Sequence, residues 1–331
     1  MKKILNEQSS IVEDMIDGYV SAYGDYVKRG ANPRVVVRSS AKKSAKVGLV
    51  IGNGCGHEPI AMGWIGKGML DANAVGDIFA APPAELILDA IRDADTGAGV
   101  LLLISRHAGD VINGEMAVEL ARMEDIKVEA LLMYDDISSA PKGKEEDRRG
   151  AAGTTFIYKL IGAKAEEGSS LADLKTLGEK VRDNTRTLAA AVAPGISPLT
   201  GKPMFTLPED EIYLGMGVHG EPGLRSVKLS SAKTIVTDMM DALLADLPFK
   251  TDDEVLVFIN GMGSTTLMEL LIIHKEVNAV LESKHIKSYK PLVGEYITTQ
   301  EMAGFSISLC RADKDMKRLW DAPVSVPFFH R

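Results

Sequence analysis

The amino-acid sequence predicts an α/β protein of two domains, each with a parallel or mixed sheet flanked by helices. Short apolar runs alternate with longer segments of helical spacing, which is typical of such sheets. With 331 residues, the chain exceeds the usual size of a single hydrophobic core. A stretch rich in proline and glycine, Ala193–Pro203, separates the two halves. We therefore expect an N-terminal domain over residues 1–192 and a C-terminal domain over residues 193–331.

The first half alternates apolar runs that predict strands with segments that predict helices. Gly99–Ile104 is the most apolar run, and a short continuous run of this kind indicates a buried strand. Helical signals dominate from Gly150 to Ala191, where Ser169 and Ser170 are candidate N-caps. The predicted strands are Val35–Val37, Lys46–Ile51, Gly99–Ile104 and Lys127–Tyr134, and the predicted helices are Pro59–Leu70, Glu85–Asp93 and Val111–Arg122.

The second half repeats this alternation at a smaller size. Apolar runs that predict strands again alternate with segments that predict helices. The predicted strands are Glu211–Gly215, Glu254–Ile259, Lys290–Thr298 and Gly304–Cys310, and the predicted helices are Ala232–Leu247 and Thr265–Leu281.

Charge and composition exclude several classes of function. The net charge of −8 argues against binding to nucleic acid or to an anionic membrane surface, because both require a basic face. The two cysteines, Cys55 and Cys310, do not form a disulfide framework, and they fit a reducing cytoplasm. The N-terminus lacks the apolar region of a signal peptide, and no run has the length of a membrane span. We therefore expect a cytoplasmic protein.

Two histidines lie in glycine-rich loops that follow predicted strands. His57 lies in Gly52-Asn-Gly-Cys-Gly-His-Glu-Pro, and His219 lies in Gly215-Met-Gly-Val-His-Gly-Glu-Pro-Gly. Glycine lets the backbone turn sharply and gives a ligand close access to it. Open α/β sheets bind small molecules at strand ends, so both loops are candidate binding sites. The alternative is that both histidines are ordinary turn residues.

Three loops of the first half carry candidate chemistry. They are Gly54–Glu58, Phe79–Pro82 and Ser105–Asp110, and the strand-end rule places all three at one edge of the sheet. Asp110 is a candidate general base beside His57. A helix-capping role is an equally weighted alternative, because Asp110 directly precedes the predicted helix Val111–Arg122. For His107, simple exposure to solvent is the alternative.

Several standard signatures are absent from the sequence. No nucleotide-binding P-loop occurs, and the glycines around His57 do not have the spacing of a dinucleotide site. The sequence also lacks zinc-ligand spacing and the serine-nucleophile elbow. If the protein handles a phosphoryl group, we expect another chain to hold the nucleotide.

The chain resembles the substrate-binding subunit of dihydroxyacetone kinase, the DhaK-type subunit of phosphotransferase-dependent systems. The similar motifs follow the family order along almost the whole chain. They are Gly54–Pro59, Gly66–Asp71, Ala108–Asn113, Asp135–Ile137, Arg148–Gly150, Ile212–Gly223, Asn260–Gly263, Leu267–Leu270, Met302–Ser306 and Asp321–Pro323.

The resemblance implies a covalent mode of substrate binding. It assigns to His219 a hemiaminal with the carbonyl carbon of a short ketose, to His57 a hydrogen bond to that substrate, and to Asp110 the proton of the hydroxyl that is phosphorylated. A neutral imidazole is a competent nucleophile toward a ketone. Because the covalent bond requires a carbonyl carbon, which glycerol lacks, we expect glycerol to be rejected. The residues expected to line the pocket are Gly54, Cys55, Gly56, Ala81 and His107.

The resemblance also implies partners. The phosphoryl donor is expected to be a separate helical DhaL-type subunit that carries ADP and magnesium and is recharged by a phosphotransferase protein of the DhaM type. No cofactor or metal is therefore expected on this chain, and a homodimer is expected.

The sequence departs from the family pattern around the predicted pocket. The departures are Asn53, Cys55, Ala81, Arg106, His107 and Gly114. Two functions therefore stay open: a kinase subunit for dihydroxyacetone or a four-carbon ketose, or a non-enzymatic ketose sensor that activates a transcription regulator. The presence of Asp110 favours the enzyme, because a sensor needs the hemiaminal but not the base.

Overall fold

The computed structural model describes residues 3–40, 45–221 and 223–330, which form two six-stranded sheets with helices. In these ranges no helix has the length and apolar character needed to cross a membrane. The strands are β1 (Val27–Arg29), β2 (Val35–Arg38), β3 (Gly48–Cys55), β4 (Ala72–Ile78), β5 (Val100–Ser105), β6 (Val128–Met133), β7 (Thr185–Ala193), β8 (Glu211–Leu214), β9 (Arg225–Lys228), β10 (Glu254–Gly261), β11 (Lys287–Glu295) and β12 (Ala303–Arg311). The helices are α1 (Ile11–Ala22), α2 (Ala84–Ala94), α3 (Ala108–Met123), α4 (Thr154–Glu166), α5 (Leu171–Asp183), α6 (Ala232–Asp246), α7 (Leu267–Ser283) and α8 (Lys314–Trp320).

The chain divides into two compact units, and each consists of more than one segment. The first unit contains the residues up to Met133, Phe156–Lys180 and the residues from Arg318 onward, and the second contains Tyr134–Thr155 and Val181–Lys317. These bounds differ from the predicted boundary between residues 192 and 193, which falls at the end of β7, inside the second unit.

The first unit contains a sheet with the strand order β1-β2-β4-β3-β5-β6. Strands β3, β4, β5 and β6 are parallel, whereas β1 and β2 add an antiparallel edge. Helices α2 and α3 pack on one face, where Ile87 and Ala117 join Val50 and Leu102 in the core. Because parallel strands all end at the same edge, this arrangement gathers the loops that follow β3, β4 and β5.

The second unit contains a mixed sheet with the strand order β11-β10-β12-β7-β8-β9. Only the pair β10 and β11 is parallel, and the other neighbours are antiparallel. Met240 of α6 and Val277 of α7 pack with Val257 and Ile307 of the strands in one core. Strands β8 and β9 form a hairpin whose connecting loop carries His219.

Two predicted helical segments differ from the structure. Pro59–Leu70 contains a single 3-10 turn, Met62–Trp64, and then bends through Gly66 and Gly68, whose φ angles are +152° and +88°. Such φ values are incompatible with a right-handed helix. The helical region predicted up to Ala191 ends earlier, because α5 is followed directly by the strand β7. Within it, the predicted N-cap Ser170 is confirmed, since its hydroxyl accepts a hydrogen bond from the Asp173 amide at 3.2 Å.

Candidate functional site

The three candidate loops of the first unit lie at one edge of its sheet, as predicted. Strands β3, β4 and β5 are mutually aligned in parallel, so the chain leaves each of them in the same direction. The loop after β4 contacts the end of β3 and the helix α3 that follows β5. The Phe79 amide donates to the Cys55 carbonyl at 2.9 Å, and the Asn113 side-chain amide donates to the Pro82 carbonyl at 2.9 Å.

The loop that carries His57 is shaped by a close contact with Phe79. Gly56 has a φ of +106°, and a Cβ at this position would lie 2.6 Å from the Phe79 ring. Glycine is therefore required both for the turn and for the available space. The His57 ring is buried, with its centroid 4.9 Å from that of Phe79. The Gly56 amide donates to the Glu58 carboxylate at 3.0 Å, which fixes the backbone beside His57.

The other predicted pocket residues of the first unit lie on these same loops. Gly54 and Cys55 form the end of β3, and the Cys55 thiol is buried and free. A Cβ on Gly54 would lie 2.6 Å from the Ala80 amide nitrogen, so the loops after β3 and β4 are in close contact. Ala81 is partly buried, and its methyl group would lie 3.2 Å from a Cβ on Gly109. These residues thus surround one short stretch of the sheet edge.

Asp110 lies inside helix α3 and does not cap it. The helix begins at Ala108, three residues before the predicted start, so His107 occupies the N-cap position and Asp110 belongs to the first turn. The capping alternative for Asp110 is therefore wrong. A carboxylate in the first turn of a helix is stabilised by the helix dipole, which favours the charged form that a general base requires.

His107 and Asp110 are close neighbours within the third loop. The His107 Nδ1 atom lies 3.7 Å from the Asp110 Oδ2 atom and 3.3 Å from the Ser105 hydroxyl. The His107 side chain is only 16% exposed, so the simple exposed-loop interpretation of His107 is wrong. An imidazole thus lies beside the carboxylate that is the candidate base.

His219 lies in the β8–β9 loop of the second unit, which is held by several backbone hydrogen bonds. The Leu224 amide donates to the Leu214 carbonyl at 3.0 Å, and the Gly217 amide donates to the Glu221 carbonyl at 2.9 Å. The Thr299 hydroxyl donates to the Val218 carbonyl at 2.7 Å. Pro222 of the predicted motif lies outside the described residues. Both ends of the loop and the residue before His219 are therefore fixed.

Glu221 holds His219 at two points. One carboxylate oxygen accepts from the His219 backbone amide at 2.8 Å, and the other lies 2.9 Å from the His219 Nδ1 atom. Burial opposes ionisation of Glu221, but the hydrogen bonds that Glu221 accepts from the side chain and the backbone of His219 outweigh burial and lower the pKa of this carboxyl. Glu221 is thus a carboxylate at neutral pH.

Arg149 lies between Glu221 and the buried carboxylate of Asp136 in the second unit. The Arg149 Nη1 atom lies 3.9 Å from Glu221, and the Nη2 atom donates to the buried Asp136 at 2.8 Å. Asp136 in turn accepts from the Ser138 amide at 2.9 Å. Glu221, Arg149 and Asp136 lie in the motifs of the sequence, but the motifs alone indicated no role for them. The carboxylate two residues after His219 was the signal in the sequence that could have identified a partner for the histidine. No local sequence pattern connects this carboxylate to Asp136 or Arg149.

Each unit, taken by itself, provides side chains that can take part in ligand binding or catalysis. The first unit provides a buried imidazole and a carboxylate beside main-chain amides, and the second provides an imidazole oriented by a carboxylate. A histidine oriented in this way can act as a nucleophile or as a base.

Comparison with known protein sequences gave matches along nearly the whole chain. The sequence profile of one family, described as the Dak1 domain, matches residues 17–328. "PTS-dependent dihydroxyacetone kinase 1, dihydroxyacetone-binding subunit DhaK" of Listeria innocua is 42% identical over 315 residues, which cover 95% of each chain. "D-erythrulose kinase" of Mycolicibacterium smegmatis is 37% identical over 331 residues, which cover all of this chain but 57% of the relative.

Solved structures with a similar fold include both an enzyme and a regulator. The dihydroxyacetone kinase from C. freundii, in complex with AMP-PNP and Mg2+, has a TM-score of 0.91 at 31% identity, covering 99% of this chain and 61% of that one. "Dihydroxyacetone kinase operon co-activator Dha-DhaQ" has a TM-score of 0.90 at 31% identity, covering 95% of this chain and 97% of that one.

Proposed function

The chain belongs to the Dak1-domain family, and on this premise we propose that it is the ketose-binding subunit of a dihydroxyacetone-type kinase. The predicted resemblance to the substrate-binding subunit of dihydroxyacetone kinase is confirmed at the level of the family. The match at 42% identity along 95% of a separate dihydroxyacetone-binding subunit is the observation that carries this proposal.

In this proposal, His219 is the covalent anchor of the substrate. The lone pair of its Nε2 atom attacks the carbonyl carbon of the ketose, and the carbonyl π electrons move to the oxygen, which takes up a proton to give a hemiaminal. The hydrogen bonds that hold the loop orient the imidazole before the ketose arrives, which reduces the entropic cost of the addition. Glycerol offers no carbonyl carbon, so it forms no adduct.

The roles that we propose for two residues of the first unit follow from the family resemblance. We assign to His57 a hydrogen bond to the substrate and to Asp110 the removal of the hydroxyl proton as the oxygen attacks the phosphoryl group. Asp110 lies in the first turn of α3, where the helix dipole favours a negative charge, and this position suits a general base. Gly54, Cys55, Gly56, Ala81 and His107 lie on the loops that would line this pocket.

We assign the phosphoryl donor to a partner subunit. The donor is a helical DhaL-type subunit that carries ADP and magnesium and is recharged through a phosphoenolpyruvate-dependent phosphotransferase protein of the DhaM type. The magnesium ion would neutralise charge on the transferred phosphoryl group, and this chain would bind no cofactor itself. The similarity to a relative whose name describes it as a dihydroxyacetone-binding subunit supports this division. We also propose that the chain forms a homodimer and that it is located in the cytoplasm.

A second candidate function is a ketose sensor that activates a transcription regulator. The structural similarity to a co-activator over 95% of the chain favours it. The higher identity to a kinase subunit, 42% against 31%, and the presence of Asp110 support the enzyme more strongly.

A reconstituted kinase assay tests the proposed function. The purified chain is combined with a DhaL-type subunit and its phosphotransferase proteins, and dihydroxyacetone, D-erythrulose, L-erythrulose and glycerol are offered as substrates. We expect phosphorylation of at least one ketose and none of glycerol. Ketose binding without phosphorylation by any donor, together with binding to a transcription regulator, would instead establish the sensor.

The same assay tests the assigned base. Asp110→Asn should retain binding of the ketose and lose phosphoryl transfer by about 10²–10⁴-fold, because an amide cannot accept the hydroxyl proton. Asp238→Asn, at an exposed position of α6, is the matched control and should be fully active. Unchanged turnover in Asp110→Asn would refute this role.

A further inference from the structure

We infer that Glu221 is a positioning residue that directs the nucleophilic Nε2 atom of His219 at the substrate and stabilises the charge that forms on the ring. This inference rests on the proposed function and assigns to Glu221 a role within it. Its basis is the geometry of the β8–β9 loop, where one carboxylate binds both the backbone and the side chain of the same histidine.

The first consequence of this geometry is a fixed tautomer. A carboxylate accepts hydrogen bonds and cannot donate one, so the 2.9 Å contact requires a proton on His219 Nδ1. In the neutral ring the lone pair is then confined to Nε2, which is the nucleophilic position. Without this partner the proton could occupy either nitrogen, and a fraction of the molecules would have no lone pair at the reacting atom.

The second consequence concerns the charge of the adduct. When Nε2 bonds to the carbonyl carbon while Nδ1 keeps its proton, the ring becomes an imidazolium cation. The new alkoxide takes one proton from solvent, so the complete step joins a neutral ring, a ketone and a proton. Glu221 lies against the Nδ1 proton and stabilises this cation in the same way that a carboxylate stabilises the imidazolium of a catalytic triad.

Arg149 attracts Glu221 without forming a close ion pair with it. Arg149 lies 3.9 Å away, but its closest carboxylate contact is with the buried Asp136, at 2.8 Å. The Arg149 guanidinium therefore interacts mainly with Asp136 and attracts Glu221 from a longer distance. The stronger interactions of the Glu221 carboxylate are those with His219.

The size of the expected effect follows from exposure. The side chains of His219 and Glu221 are 27% and 32% exposed, so solvent screens part of their attraction. We therefore expect Glu221→Gln to weaken the adduct by about tenfold and not to abolish it. Glutamine retains one acceptor oxygen but lacks the charge and one of the two hydrogen bonds.

The test measures the adduct and the ring proton separately. Dihydroxyacetone labelled with 13C at the carbonyl carbon is titrated into the full chain, and conversion of the ketone signal to a tetrahedral carbon gives the apparent Kd. 15N resonances of the His219 ring report which nitrogen carries the proton. We expect Glu221→Gln to raise the apparent Kd about tenfold and to move ring proton population from Nδ1 to Nε2. Glu221→Asp, which keeps the charge, should recover part of both effects.

Controls separate this inference from the proposed function. Glu209→Gln, at an exposed position before β8, should behave like the unaltered chain, and His219→Ala should form no adduct. Absence of an adduct in the unaltered chain would overturn the proposed anchor and this inference with it. An adduct of unchanged affinity in Glu221→Gln, with the proton still on Nδ1, would overturn the role of Glu221 alone.

Discussion

Cys55 ends the strand that leads to His57, yet its surroundings disfavour a reactive thiolate. Burial raises the pKa of the thiol to about 12, and the charges of Glu58 and Asp77 contribute in the same direction. Since the thiolate is the nucleophile, Cys55 is chemically inert near neutral pH. The buried Cys310 has its pKa raised to about 12 as well, chiefly by burial. Cys55 is therefore better explained as a small apolar residue of the loop.

Alkylation of the native chain tests this inertness. Iodoacetamide at pH 8 should leave both cysteines unmodified in the folded protein, because this pH lies well below both raised pKa values. Intact mass then shows no added group, whereas the same protein unfolded in guanidinium gains two. Rapid labelling of Cys55 in the folded state would contradict the prediction.

Residue by residue, the sequence is informative where the chemistry is local. The glycines around His57 indicated a turn with close contacts, and Gly56 has both features. The roles of Asp136 and Arg149 could not be predicted in this way, because both lie far before His219 in the sequence and approach its loop only through folding. The helix start at Ala108 also depends on context, and this start gives Asp110 its place in the first turn.

Among the elements, the errors arise where tertiary packing overrides local preference. The run Leu188–Val192 is rich in alanine, the strongest helix former, yet it lies in β7 between β8 and β12. Its small side chains are buried in the sheet, and this environment is not encoded in local propensity. The apolar run before Leu70 is similarly ambiguous, because a buried turn and a buried helix have the same composition.

A pair of helical glycines tests how closely the elements of the first unit pack. In α4, a Cβ on Gly162 would lie 2.5 Å from the Gly68 carbonyl oxygen and from the Met69 Cα, and both are backbone atoms that cannot move aside easily. In α1, a Cβ on Gly18 meets no atom within 4 Å among the described residues outside its own part of the helix. Gly162→Ala should therefore lower the free energy of unfolding by about 1–3 kcal/mol, whereas Gly18→Ala should raise it by about 0.5–1 kcal/mol.

Chemical denaturation of the two variants beside the unaltered chain measures both changes. Because the two expected changes in the free energy of unfolding have opposite signs, an effect that is common to every replacement of glycine by alanine in a helix cannot explain both. Equal shifts in the two variants would show that α4 does not approach the Gly68–Met69 backbone as closely as described.

At the scale of the whole molecule, the sequence does not predict which segments of the chain join the same sheet or the same unit. The proline- and glycine-rich stretch after β7 predicts a domain edge, but β7 and β8, on either side of it, are hydrogen-bonded neighbours in one sheet. The C-terminal segment returns to the first unit, where Trp320 packs against Phe156 and Phe329 packs against Trp64. Composition reports where a chain turns, and it does not report which sheet the next segment joins.

Separate expression of fragments tests this division of the chain. The fragment 193–331 lacks β7, so β8 and β12 lose the strand that joins them, and the fragment 1–192 lacks the aromatic residues of the C-terminal segment. We expect neither fragment to unfold cooperatively or to give a dispersed amide NMR spectrum. The fragment 181–317, which retains all six strands of the second sheet, should show more native dispersion than 193–331. Cooperative folding of both 1–192 and 193–331 would instead support a domain edge at residue 193, because each half would then bury a sufficient core without the other.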